Sequence, residues 1–360
     1  MQKTIRDLTP YDPGLTTEQL AQKIGKRIIK LSANESLWGP SPKVYDALQQ
    51  SCPLLNYYPD GAAQELKNLL AAGWHLSEEH FCLGNGADEM IFLLANTFLN
   101  PGDEVVIPVP TFSSYASATQ IVGGLSRFIP QQELTFRLAE IAQAVHSKTK
   151  MVFLCNPNNP TGTYFTQKDL ELFLERIPAQ TLVILDEAYC QYATNEDFPA
   201  AKGLIERYPN LLVLRTFSKV YGLASLRIGY AVAAPKLIKE LEKVRQPYNI
   251  NTIAQFAAAI AWQDEEYLHK VIQETVRERE KVIAQLCGLG FNVLPSQANF
   301  LLAQHKETEL IVELLLKDGL LVRHTASFGI PDGFRITIGP ATLMQDFFDT
   351  LTKIMLTIEP

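Results

Sequence analysis

Leu211-Leu-Val-Leu-Arg-Thr-Phe-Ser-Lys219 is the stretch whose reading decides the fold. Four consecutive apolar residues, then hydroxyls and a lysine, describe a short buried strand with polar chemistry at its C-terminal end. Comparable runs stand at Glu104–Ile107, Met151–Cys155, Thr181–Leu185 and Tyr230–Ala233, separated by helical stretches such as Gln167–Arg176. Unbroken apolar runs mark strands covered on both faces, and their alternation with helices predicts a mostly parallel sheet of the α/β class.

Outward from this centre the pattern changes. A charged helical stretch from about Glu265 to Leu286 precedes strand candidates at Phe291–Leu294, Phe300–Ala303, Leu320–Arg323 and Phe334–Ile338, which reads as a smaller α+β unit. Residues 1–42 hold Pro10, Pro13, Gly14, Gly39, Pro40 and Pro42, and are expected to wrap as an arm with little structure of their own. The expected division is 1–42 as arm and part of the small domain, 43–262 as the large domain, and 263–360 as the small C-terminal domain.

Composition narrows the function. With 360 residues and 47% hydrophobic content the chain is long enough for a large core, and no apolar run approaches a membrane span. A net charge of −7 leaves no global positive field for nucleic acid, and the Pro-rich first forty residues do not fit a helix-turn-helix. Small-molecule substrates and a cytoplasmic location are expected. Cys52, Cys82, Cys155, Cys190 and Cys287 are odd in number and widely spaced, which suits reduced thiols rather than disulfides or a metal knuckle, and no metal is expected.

In open α/β sheets ligands sit beyond the C-terminal ends of the strands, so the residues there come first. Met151–Cys155 runs into Asn156-Pro-Asn-Asn-Pro-Thr-Gly162, Thr181–Leu185 into Asp186-Glu-Ala-Tyr189, and the opening strand into Ser218-Lys219. Lysines are rarely buried, but one at a strand mouth near another cation such as Arg227 loses basicity and becomes a nucleophile toward an aldehyde. Asp186, read alone, is a helix cap or ion-pair partner; beside Lys219 it suits the nitrogen of a pyridine ring. Tyr189 and Asn159 offer hydrogen bonds to a ring oxygen. Gly84-Asn-Gly-Ala-Asp-Glu89 opens a helix whose free amides attract phosphate, with Ser218 and Arg227 as further donors. Phe112 follows the Val105–Val109 run and either stacks on a flat ring or packs in the core.

Together these motifs resemble the fold-type-I pyridoxal-phosphate aminotransferases, and within them the histidinol-phosphate aminotransferase family. The resemblance spans nearly the whole chain: Leu8-Thr-Pro-Tyr-Asp-Pro-Gly14, Asn34-Glu35, Gly39-Pro-Ser-Pro42, Tyr58-Pro-Asp-Gly61, Gly84–Glu89, Asn156–Gly162, Asp186–Tyr189, Thr216–Lys219 with Arg227, and Phe334-Arg-Ile-Thr-Ile-Gly339 follow the family's order. It implies a large domain with a mostly parallel seven-stranded sheet flanked by helices. It also implies pyridoxal 5'-phosphate bound as a Schiff base on Lys219, which shuttles the Cα proton. Asp186 would then pair with the ring nitrogen, Asn159 and Tyr189 with the ring oxygen, and Phe112 with the ring face. Ala87, Asp88, Ser218 and Arg227 would surround the phosphate, and Tyr58 would reach a partner's phosphate in a homodimer with shared sites.

The implied reaction transfers the amino group of L-histidinol phosphate to 2-oxoglutarate, giving imidazole acetol phosphate and glutamate in histidine biosynthesis. One cation set must then accept either a phosphate or a carboxylate. Arg323 and Arg335 are the candidates, with Tyr11 closing over the substrate and Asn34 beside it. An aromatic amino-acid aminotransferase, and then a threonine-phosphate decarboxylase, are the alternatives, with a non-catalytic regulatory module behind both. Ser36-Leu-Trp38, Ser225 and His324-Thr325 depart from the family's usual residues near the substrate mouth.

Overall fold

Along Leu211–Thr216 the side chains alternate between two interiors: Leu211 and Val213 enter one core, Leu212 and Leu214 the other. The Leu182–Asp186 strand does the same, with Val183 and Leu185 opposite Leu182 and Ile184. A period of two with both faces apolar requires helices on both sides of the sheet. The computed structural model, which describes residues 3–6, 8, 10, 14–50 and 55–358, has that arrangement. Seven strands lie in the order Phe81–Gly84, Gly229–Ala233, Leu211–Thr216, Leu182–Asp186, Thr149–Cys155, Glu104–Val109, Leu125–Pro130. Neighbours run parallel except where Gly229–Ala233 opposes both strands it pairs with.

Two of these strands were not expected. Leu125–Pro130 is an edge strand with every residue at least partly exposed, so it carries no apolar run. Phe81–Gly84 is fully buried but only four residues long and merges with the glycine-rich turn. By contrast, the Gln167–Arg176 helix has the expected bounds, because Thr166 and Asp169 form a reciprocal capping box that starts it.

A third core joins the small sheet to the long Glu265–Gly288 helix and the Ala341–Ile358 helix through Val282, Leu286, Phe334, Ile336, Phe347 and Leu351. That sheet runs Arg323–His324, Gly333–Thr337, Phe300–Gln304, Asn292–Val293, all antiparallel. The expected single strand Leu320–Arg323 is in fact two. Leu320–Leu321 pairs in parallel with Ile29–Lys30, and Arg323–His324 joins the four-stranded sheet. The expectation of an unstructured N-terminal arm is also corrected: Thr16 caps an α-helix over Thr17–Ile24, and Leu31 is fully buried in the small core. Its proline content concealed a capping box, Thr16 with Gln19, of the kind that starts a helix. Among the described residues no helix is long and apolar enough to cross a membrane.

Candidate active site

Asp186 is the last residue of its strand and faces the same core as Ile184. It is 4% exposed, and burial in apolar surroundings pushes its carboxyl up to about 6. Two donors oppose that rise: the Tyr115 hydroxyl donates to Oδ2 at 2.6 Å, and the Ala188 amide to Oδ1 at 3.0 Å. Tyr115 stacks on Phe153 with ring centroids 4.5 Å apart, so its hydroxyl is fixed. Neighbouring Glu187 points the other way, into the opposite face, where it pairs with Arg215.

The strand adjacent to Asp186 delivers Lys219. Burial lowers its amine to about 8, and the Arg335 cation adds to the effect; Arg227, the cation expected from sequence, contributes least. Nζ donates to the Ala33 carbonyl at 3.4 Å and lies 5.4 Å from the centre of the Tyr189 ring. Tyr189 is buried, its edge packs on Phe300, and its hydroxyl oxygen accepts from Asn34 Nδ2 at 3.1 Å. The Asn34 bond uses a lone pair of that oxygen and leaves the phenol's own proton able to donate. A partly buried amine that titrates near 8 is in part a free base at neutral pH, as a nucleophile or a proton acceptor requires.

Beyond the Phe81–Gly84 strand the Gly86–Phe98 helix begins, at the turn where the sequence led to the expectation of an anion cradle. Gly86 has φ +83°, and a Cβ there would meet Arg227 Nη2 at 2.5 Å. A Cβ on Gly229 would meet the Ala87 amide nitrogen at 2.7 Å. Arg227 donates to Ser218 Oγ at 3.4 Å and pairs with Asp88 at 3.2 Å, so Ala87, Asp88, Ser218 and Arg227 are brought together as expected. Glu89 takes the bland role instead: its carboxylate accepts from the Asn85 amide and from Asn249, capping the helix.

The two candidate arginines differ sharply. Arg335 is 6% exposed, donates to Asn159 Oδ1 and to the Ser32 carbonyl at 2.7 Å, and lies 5.3 Å from the centre of the Phe300 ring. Desolvation lowers its guanidinium to about 10, and its buried Nε has no hydrogen-bond partner among the described residues. Asn159 therefore turns its amide oxygen to Arg335. Arg323 sits opposite Arg335 on the neighbouring strand but is exposed, donating to Ser327 Oγ at 3.3 Å and lying 6.0 Å from the centre of the Phe328 ring. Phe112 is partly buried and T-shaped to Tyr115 with ring centroids 5.7 Å apart, next to the ring whose hydroxyl donates to Asp186. Tyr58 is 82% exposed and stacks on Tyr248 at 4.7 Å, with no described contact to the other site residues. Tyr11 and Cys52 lie outside the described residues.

Tyr115 and Asn299 escaped the sequence reading. Tyr115 stands three positions after Phe112, the spacing of one helical face, and that was the available signal. Asn299 gave none, since its side chain works across 265 positions of sequence.

Comparison with known proteins agrees with this geometry. Residues 26–351 match the family model "Aminotransferase class I and II". The chain is 41% identical to histidinol-phosphate aminotransferase 2 of Carboxydothermus hydrogenoformans, covering 99% of each chain. It is 39% identical to the histidinol-phosphate aminotransferase of Moorella thermoacetica, over 98% of this chain and 92% of that one. Among solved structures, histidinol-phosphate aminotransferase from Sinorhizobium meliloti in complex with pyridoxal-5'-phosphate superposes with a TM-score of 0.92 at 28% identity, over 99% and 98% of the two chains. The chain is thus a member of the class I and II aminotransferase family.

Proposed function

We propose that this chain is a pyridoxal-phosphate-dependent aminotransferase that moves the amino group of L-histidinol phosphate to 2-oxoglutarate, yielding imidazole acetol phosphate and glutamate. The observation that carries it is the pairing, from adjacent strands, of a buried carboxylate and a lysine of lowered basicity beside a helix N-terminus. Those three features fit a pyridine nitrogen, an aldehyde and a phosphate. The unpartnered buried Arg335 Nε and Asn34 Oδ1 mark polar capacity held open in the same place.

Pyridoxal phosphate, when bound, supplies an electron sink for the negative charge that develops as the substrate loses its Cα proton. Asp186 would hold a proton on the ring nitrogen, Tyr189 would donate its hydroxyl proton to the ring oxygen, and Phe112 would offer an aromatic face to the ring. The Ala87 and Asp88 amides, Ser218 and Arg227 bind the phosphate. The Lys219 amine takes the Cα proton and returns it, as base and then acid. The planar fork of Arg335 accepts a phosphate or a carboxylate, the property needed to serve a phosphorylated amine and a dicarboxylic acid in turn. The exposed, stacked Tyr58 and Tyr248 suit a homodimer in which Tyr58 reaches the neighbouring site.

The test is spectroscopic. Histidinol phosphate added to the holoenzyme is expected to abolish the visible absorbance of the aldehyde form, and 2-oxoglutarate to restore it. A response to phenylalanine or tyrosine alone would overturn the substrate assignment.

A further inference from the structure

Ser32, Ala33 and Asn34 form a hub, of which the sequence pointed to Asn34 alone. The Ser32 carbonyl accepts from Arg335 Nη2 at 2.7 Å, and the Ala33 carbonyl from Lys219 Nζ at 3.4 Å. Asn34 Nδ2 donates to the Tyr189 hydroxyl oxygen at 3.1 Å. Three consecutive residues thus touch the oxyanion-binding arginine, the proton-transferring lysine and the phenol. The hub is itself strained: Asn34, a non-glycine, has φ +56°, a left-handed conformation that persists only when its surroundings over-determine it.

Two buried side chains do so. Asn299 Nδ2 donates to the Asn34 carbonyl at 3.2 Å, and Thr337 Oγ1 accepts from the Asn34 amide at 3.0 Å. Both are 1% exposed. Asn299 cannot drift, because its own carbonyl accepts from Ile338 and the preceding Ala298 carbonyl accepts from buried Arg279 at 3.0 Å. The Thr337 amide closes the arrangement on the Leu31 carbonyl at 2.8 Å.

We infer that Asn299 and Thr337 are positioning residues for the transfer reaction: from the small sheet they lock Asn34 in its left-handed conformation, and the locked Ser32–Asn34 tract sets the spacing of Arg335, Lys219 and Tyr189. The inference rests on the function proposed above. It makes anion capture and the state of the lysine properties of one rigid piece.

The probe is glutarate, which is glutamate without its amine and cannot react. Its affinity for the holoenzyme is read from the absorbance of the bound cofactor, beside a thermal melt. Asn299→Ala and Thr337→Val are each expected to weaken glutarate about 10-fold, the scale of one buried hydrogen bond lost. Thr337→Ser, which keeps the hydroxyl, restores the affinity. Because both residues act on the Asn34 backbone, Asn299→Ala adds little in a Thr337→Val background. A lowered melting temperature with wild-type glutarate affinity, or effects that simply add, would overturn the inference. Failure of the wild-type chain to bind pyridoxal phosphate or glutarate would instead sink the proposed function, so the two failures are distinguishable.

Discussion

The Tyr115 hydroxyl donates to Asp186 Oδ2 over 2.6 Å, and both side chains are sealed from water. A hydrogen bond to a charged group is worth about 1.5–3 kcal/mol, or roughly one to two pKa units. Tyr115→Phe keeps the stack on Phe153 but removes this donor, so the Asp186 carboxyl rises above its present value of about 6. The acid limb of kcat/KM is expected to move up by about one unit, with activity at pH 7 falling about 2-fold and activity at pH 5 about 10-fold. An unshifted pH profile would show that Tyr115 does not act on Asp186.

Asp186 also makes stability depend on pH. Its folded value of about 6 lies above the ordinary 3.8, so the folded chain holds that proton more tightly than the unfolded chain does. The resulting penalty is absent at the lowest pH, grows between about 4 and 6, and is full above 6. Asp186→Asn abolishes transamination, yet in the cofactor-free chain it is expected to raise stability above pH 6 by at most about 3 kcal/mol. Melts at pH 4 and pH 8 check this: the gain belongs to pH 8 alone.

Lys219 titrates near 8 because burial disfavours its charged form. In cofactor-stripped protein its reaction with pyridoxal phosphate should therefore level off just above pH 8, whereas exposed lysines keep gaining reactivity to about pH 10.4. Borohydride trapping and peptide mapping across that range would place the label. Lys219→Ala is expected to slow transfer by about 1,000-fold or more while leaving the phosphate site intact.

Arg335 is buried between Asn159 and Ser32, while Arg323 is exposed, with Ser327 and the Phe328 ring beside it. Charge-assisted contacts made out of water are the strong ones. Arg335→Ala is expected to raise KM for both histidinol phosphate and glutamate by about 100-fold or more, and Arg323→Ala by less than about 5-fold. Equal effects would mean that Arg323 turns inward when substrate binds.

The sequence by itself determined the elements that bury both faces of a strand and the chemistry at their ends. Thr181–Leu185 and Leu211–Leu214 were legible because unbroken apolar runs have few other uses, and Asp186 and Lys219 because each stands where such a run stops. Leu125–Pro130 was not legible, since an exposed edge strand needs no apolar pattern. The tertiary structure decided the rest, because distance in space is not written in local periodicity. It separated Arg335 from Arg323, which look alike in sequence, by burying one guanidinium. It brought Tyr115 to Asp186 across 71 positions, and Asn299 to Asn34 across 265. It replaced Arg227 by Arg335 as the main cation acting on Lys219. A side chain's type says what it can bond, and only the packed chain says which partner lies within 3 Å.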